Sequence, residues 1–377
     1  MHSLPETILQ FGAGNFLRAF ADVFVHEANQ EGQNIGRIVV VQSTNSNRAQ
    51  MLNDQNGHYH VLTRGIENGQ KIDHALKVES ISRALIAQND WPEILAFAQS
   101  PDLKYILSNV TEVGFVLDPN DQCTQNAPHS FPAKLLQVLK ARFDAHQPGL
   151  TILPCELIER NGDLLLGLLI EQAKAWHLGD DFQSWLRQEN IWCNTLVDRI
   201  VSGLPDNHPL LEEDQLLAAA EPYALWAIES SHGLDGFVTH PNIVQTDKVD
   251  PYQLRKVRIL NGAHTAMVIR AMPLGIETVR EAIENKDIYD GLKRLLFEEI
   301  CPVVDARVDQ AEKFAHQVFD RFANPFLNHK LSDIALHHET KTQTRLVPTY
   351  KEYMAQFGKQ PPLLHDILKE HLQRNTT

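Results

Sequence analysis

Residues 7–16 read TILQFGAGNF, a short apolar run that passes at once into a glycine-flanked corner, with a helix-like stretch following through His26. Strand, glycine turn and helix in that order form the opening unit of a doubly wound parallel sheet. Gly12 permits the tight turn, Gly14 lets backbone N–H groups approach a pyrophosphate, and a helix N-terminus adds favourable partial charge. The candidate dinucleotide contacts are therefore Gly12, Ala13, Gly14, Asn15 and Phe16, with Arg18 beside the pyrophosphate. The fingerprint is incomplete, because Leu17 stands where a third small residue belongs.

Working outward, Arg37 to Gln42 (RIVVVQ) is a second strand whose C-terminal end should lie beside the adenosine ribose. No carboxylate sits there. Gln42, Ser43, Thr44 and Asn45 follow, with Arg48 nearby, so NAD is expected with NADP left open, and Gln42 and Ser43 are the candidate ribose contacts. Lys104 to Ser108 is a third strand, and the loop after it offers Asn109 to the nicotinamide half. Leu150 to Pro154 and Glu221 to Glu229 read as strands, and Asp163 to Trp176 as a helix. Beyond Asp250 the pattern is helical, as in Asp287–Ile300, Asp309–Phe322 and Leu363–Leu372, with Asn324-Pro325 as a break. The expected architecture is an α/β, Rossmann-like nucleotide-binding domain over residues 1–245, followed by a mostly α-helical substrate and catalytic domain over 246–377. Small-molecule sites favour the crevice between such units.

Composition narrows the class. A net charge of −14 over 377 residues argues against nucleic acid and anionic membrane surfaces as partners. The four cysteines (Cys123, Cys155, Cys193, Cys301) lack CxxC spacing, so neither a disulfide framework nor a zinc knuckle is expected. MHSLPETILQ has no basic-then-apolar leader pattern, which makes a cytoplasmic enzyme the default and leaves oligomeric state open.

The most informative helix runs from Asp250 to Pro273, DPYQLRKVRILNGAHTAMVIRAMP. Asp250 suits the N-cap, Pro251 the first helical position, Gln253 a capping-box partner, and Pro273 the stop. At about 100° per residue, His264 falls roughly 80° round from Lys256 and Asn261 roughly 140°, so the three share one sector of the cylinder. Gly262 costs on the order of 1 kcal/mol relative to Ala at mid-helix, which points to a close backbone approach. A surface helix with an incidental Lys and His is the competing reading. Other clusters carry less. His337-His338-Glu339 is read as no metal site, Ser231-His232 with Asp235 as too local for a hydrolase triad, and Asp198-Arg199 as an ion pair between the domains.

The stretches GAGNFLRAF, SNVTEVG, LPCELIERNGD, NTLVDRI, KVRILNGAHTA and RFANPFLNHKLSDIA…TKTQTRLVP together resemble the polyol-specific long-chain (mannitol) dehydrogenase family, over nearly the whole chain. The resemblance implies a metal-independent, NAD(P)-dependent oxidoreductase whose small-molecule partner is a sugar acid or polyol. In it, Lys256 is the general acid/base, provided burial or a neighbouring cation lowers its pKa. Asn261 donates to the developing oxyanion, and His264 orients the substrate oxygen or the Lys. Departures bear on the substrate. Cys155-Glu156-Leu157 stands where some sugar-alcohol members carry a second oxyanion Asn, leaving Asn161 as either a substitute or a turn residue, and Asp333 stands where those members have Arg. A keto acid is favoured, with Lys341 and Arg345 as carboxylate partners or else solvated surface charges; a sugar phosphate is the alternative. A nucleotide-sensing protein without activity would be expected to lose Lys256, Asn261 and His264 together, and all three are present.

Overall fold

Runs of β-branched and aliphatic residues with helices on both sides become parallel strands buried on two faces. The computed structural model, which describes residues 3–111, 114–205, 207–230, 234 and 236–374, contains such a sheet. In chain order the strands are β1 (Glu6–Phe11), β2 (Arg37–Gln42), β3 (Tyr59–Glu67), β4 (Gln70–Val78), β5 (Ile81–Ile86), β6 (Tyr105–Ser108), β7 (Thr151–Pro154), β8 (Ile191–Trp192), β9 (Asn194–Asp198), β10 (Val201–Gly203), β11 (Ala218–Ala220), β12 (Leu225–Glu229) and β13 (Ile243–Thr246). The central sheet has the order β5-β2-β1-β6-β7-β8, with every pair parallel. The period-2 alternation splits its side chains cleanly. Ile8, Val40, Leu107 and Leu153 enter one core. Leu9, Val39, Val41, Ile106 and Ile152 enter the other. Strand order reverses between β1 and β6, and the carboxyl ends flanking such a switch point are where doubly wound sheets bind ligands.

The helix after the glycine corner is broken. One turn, α1 (Asn15–Arg18), is followed by a kink at Ala19-Phe20 and then α2 (Ala21–Gln30). Outside groups take the carbonyls that would have continued the ladder: Tyr59 Oη donates to the Arg18 oxygen at 2.9 Å and Arg199 to the Ala19 oxygen at 2.7 Å. Phe20, fully buried, packs on Phe16, Phe24 and Trp226. The remaining helices are α3 (Arg48–Asp54), α4 (Trp91–Ala98), α5 (Phe131–Asp144), α6 (Asn161–Ala175), α7 (Asp180–Gln188), α8 (Asp250–Arg255), α9 (Gly262–Ala271), α10 (Val279–Glu284), α11 (Lys286–Arg294), α12 (Cys301–Val304), α13 (Ala311–Phe322), α14 (Leu331–Ala335), α15 (His338–Arg345), α16 (Val347–Phe357) and α17 (Pro362–Arg374). Two π-helical segments, Lys256–Asn261 and Leu295–Ile300, join α8 to α9 and α11 to α12.

The chain forms two units. One takes in residues up to Thr63, His74–Ala220 and Ala224–Val249; the other takes in Arg64–Asp73, Glu221–Tyr223 and everything from Asp250 on. The two early segments are built into the helical unit by specific contacts. Arg321 and Glu221, each with a side chain only 2% exposed, pair at 2.8 Å, and the guanidinium lies 4.4 Å from the Tyr223 ring centroid. Asn324 Nδ2 donates to the Arg64 oxygen at 3.1 Å, and Arg64 and Lys71 both sit over the Phe326 ring. The expected strand over Glu221–Glu229 is therefore shortened to Leu225–Glu229, because Glu221–Tyr223 serves the other unit. No described helix is long and apolar enough to cross a membrane.

Candidate functional site

At the switch point, Gly12 has φ +129°, and a Cβ there would lie 3.0 Å from the Asn109 carbonyl oxygen, so only glycine fits the corner. Gly14 precedes α1 in extended conformation, with nothing within 4 Å of where its Cβ would be. That open face, at the carboxyl ends of β1 and β6, fits the approach of a dinucleotide's pyrophosphate to the backbone. A single-turn α1 carries little dipole, which leaves backbone N–H groups as the main donors the corner offers. Ala13 is buried and Phe16 stacks on Phe20 at 4.9 Å. Asn109 is fixed between strands, its N–H donating to the Phe11 oxygen at 3.1 Å and its Nδ2 to the Cys155 oxygen at 2.6 Å.

Three expected contacts have other duties. Arg18 is 2% exposed, and its guanidinium donates to the Leu216 carbonyl and to Asn15 Oδ1; it braces the corner from inside instead of facing a phosphate. Gln42, also buried, donates to the Thr44 and Ser46 carbonyls at 2.9 and 2.6 Å and accepts from the Ala49 N–H at 2.7 Å. It shapes the turn after β2, while Ser43 is exposed. Asn161 is fully buried at the start of α6, donating to the Pro154 and Glu156 carbonyls and accepting from the Gly162 and Thr195 N–H groups. It is a structural clip and stands in for no oxyanion donor.

Glu156 was not singled out by the sequence reading. Only 3% exposed, it accepts from Ser108 Oγ at 3.1 Å and from the Val110 N–H at 3.0 Å, joining the loops after β6 and β7. Burial pushes its carboxyl up to about 7, against the opposing pull of those hydrogen bonds. The available signal was a carboxylate directly after the apolar strand TILPC, which is unusual enough to demand partners. Asp22 in α2, fully buried, is likewise raised to about 7 by burial, with Gln10 donating to it and the Tyr59 hydroxyl oxygen 3.2 Å from its Oδ2.

In the helical unit, the expected single helix from Asp250 is interrupted by a π-turn spanning Lys256–Asn261. The i→i+5 ladder places residues five apart one above the other. Lys256 and Asn261 thus share a face, closer than the α-helical wheel puts them. His264, three residues on in α9, is on the neighbouring ridge. Asn261's carbonyl accepts from Thr265 Oγ1 at 2.9 Å, and Arg345 Nη1 reaches that hydroxyl at 3.4 Å. Lys341, one turn before Arg345 on α15, donates to the Ile334 oxygen at 2.8 Å. Burial lowers the pKa of both, and Arg345 adds to the effect on Lys341. His264 is 7% exposed, its ring 4.6 Å from that of Phe322 and 5.0 Å from that of His329. Gly262 is not sterically required within the chain: a Cβ there would find Leu346 at 3.5 Å, an ordinary contact.

The minor clusters resolve into local structure. His338 Nε2 meets Thr342 Oγ1 and Glu339 pairs with His371, linking α15 to α17. No group of three or more His, Cys, Asp or Glu side chains among the described residues is arranged to hold a metal. Arg199 donates to the Ala19 carbonyl at 2.7 Å and to Thr63 Oγ1 at 3.4 Å, both in the nucleotide-side unit. Ser231, His232 and Asp235 lie outside the described residues.

Residues 6–238 match a family model described as the mannitol dehydrogenase Rossmann domain, and 248–368 one described as the mannitol dehydrogenase C-terminal domain. The chain is 40% identical to an altronate oxidoreductase of Halalkalibacterium halodurans over 96% of its own length and 73% of that protein's. It is 37% identical to one of Bacillus subtilis, covering 96% and 78%. Among solved structures, a substrate-free D-sorbitol dehydrogenase superposes with a TM-score of 0.81 at 21% identity, covering 97% of this chain and 81% of that one. Mannitol 2-dehydrogenase of Pseudomonas fluorescens, in a ternary complex with NAD and D-mannitol, superposes at 0.73 with 20% identity, covering 97% and 78%. Both structural likenesses establish the fold.

Proposed function

The chain belongs to the mannitol dehydrogenase family, and from that premise we propose that it is an NAD-dependent oxidoreductase interconverting a keto-uronate and an aldonate, with tagaturonate and altronate as the pair. The altronate oxidoreductases to which it is 37–40% identical support the substrate class. Bound NAD(H) supplies or accepts the hydride at the carbon that changes between ketone and alcohol. The residues through Val249 hold the dinucleotide over Gly12–Gly14, and the helical unit provides the acid–base chemistry.

Lys256 gives its proton to the oxygen as the ketone is reduced and takes it back when the alcohol is oxidised. Asn261 donates a hydrogen bond to the oxygen as negative charge grows on it, an interaction worth about 2.7–4 kcal/mol in a preorganised site. His264 holds the same oxygen in line. Arg345 and Lys341 take the substrate carboxylate, Arg345 through paired donors. All four cysteines are free thiols, which suits a reducing compartment, and we assign the enzyme to the cytoplasm.

The observation that carries this reading is the π-turn, which brings Lys256 into line with Asn261 just where the polar residues of the helix lie. Lys256→Ala should lower turnover by on the order of a hundredfold or more with NADH affinity unchanged, and small exogenous amines should restore part of it. A variant keeping a tenth of wild-type turnover overturns the assignment. Parallel assays of tagaturonate, fructose 6-phosphate and neutral ketoses with NADH and NADPH test the substrate and cofactor; preference for the sugar phosphate refutes the acid reading.

A further inference from the structure

The ring of His264 has Phe322 and His329 against it, the two histidine rings lying edge to face at 5.0 Å and 72°. The place of His329 is set by its backbone. Its carbonyl accepts from the Val279 N–H at 3.0 Å, Lys330 forms an antiparallel bridge with Thr278, and the Leu331 N–H donates to the Glu277 carbonyl at 2.8 Å. Thr278 in turn caps α10 in a capping box with Glu281. A half-buried ring is thus anchored through its own carbonyl and the two residues after it, on a segment joining α13 to α14, so that it meets edge to face the side chain assigned to orient the reacting oxygen.

Resting on that assignment, we propose that His329 is a positioning residue: its ring wedges His264 into the one orientation that serves the substrate oxygen. Burial and the Arg321 guanidinium keep His329 below the ordinary histidine range, with Asp333 pulling the other way. Arg321 is itself neutralised by Glu221. Of the cations of α15, Arg345 reaches α9 at Thr265, while Lys341 donates to the Ile334 carbonyl of α14. A neutral neighbour adds no like-charge repulsion to His264, and an aromatic edge restricts its rotation. Edge-to-face packing favours one ring orientation over the others.

The test uses the full-length enzyme and three variants, His329→Ala, His329→Phe and His264→Ala. His329→Ala should lower kcat on the order of tenfold to a hundredfold, the scale of loss when a catalytic group is misplaced by about 1 Å, with KM for NADH unchanged. His329→Phe, which keeps a ring of similar size at that place, should stay within about threefold of wild type. If His329→Phe is as impaired as His329→Ala, the ring nitrogen is what matters and positioning by packing is wrong. If His329→Ala is unimpaired while His264→Ala is inactive, the inference fails and the catalytic reading stands. If His264→Ala is also unimpaired, the catalytic reading itself has failed. NADH binding, followed by fluorescence, confirms that each variant is folded.

Discussion

Replacing Glu156 by Gln should make the protein more stable at high pH and flatten its pH dependence. The folded protein holds this carboxyl at about 7, above an ordinary value of 4.5, so between those limits the folded state carries a proton that the unfolded chain gives up. Stability from this group is fully present below about pH 4.5 and is lost as pH rises through about 7. The shift spans about 2.5 pH units at about 1.36 kcal/mol each, so ionising Glu156 costs the fold on the order of 3 kcal/mol by pH 8. Glutamine can keep both hydrogen bonds: its oxygen accepts from the Val110 N–H, and its amide donates to Ser108 Oγ, which needs only a hydroxyl rotation. Urea unfolding of both proteins from pH 5 to 8.5 gives the difference directly. The gap should open with rising pH at a slope approaching 1.4 kcal/mol per unit and level off above pH 8. If Glu156→Gln is equally destabilising at every pH, Glu156 is ionised in the native state and accepts bonds that an amide cannot replace.

Arg345→Ala should raise KM for a keto-uronate roughly tenfold to a hundredfold, the loss of a charge-assisted hydrogen bond of about 1.5–3 kcal/mol, and matter little for a neutral ketose. Equal effects on both substrates would mean that the guanidinium supports Thr265 and the helix and binds no carboxylate. Gln42→Ala should lower stability by about 1–3 kcal/mol in thermal or urea melts, since it strands the Thr44 and Ser46 carbonyls and the Ala49 N–H. The ratio of kcat/KM for NADH and NADPH should stay within about threefold, because the amide points into its own turn; a strong swing would put Gln42 on the ribose.

The strands of the central sheet were legible because continuous apolar runs bounded by turns have few other ways to be buried, and β2 falls on Arg37–Gln42 as read. The polar line on the Asp250 helix was legible for a related reason: Lys, Asn and His at helical spacing stand out against an otherwise apolar face. The π-turn was not legible, since no residue type in KVRILN forbids an α-helix and the extra residue per turn is decided by packing around it. The break after Arg18 depends on Tyr59 and Arg199, both remote in sequence. For Arg18 and Gln42 a polar side chain beside a nucleotide motif suggests ligand contact, yet a tight turn also needs internal donors, and both side chains supply them here. Glu156 was not legible as a buried group because its partners, Ser108 and the Val110 N–H, lie 46 or more residues away.

The pairing of Arg321 with Glu221 has a consequence for how the chain comes off the ribosome. The helical unit contains residues synthesised in three instalments, at 64–73, at 221–223 and after 250, and it cannot close until the last of them has emerged. Until Arg321 appears, Glu221 has no such partner to be buried with, and a fragment beginning near Asp250 would bury the guanidinium without its carboxylate, an omission costing about 3–5 kcal/mol. Exchange of this unit between relatives would therefore need to transplant two short upstream segments along with it. The sequence boundary near residue 250 marks where a gene can be cut, and it does not mark where the folded protein can be.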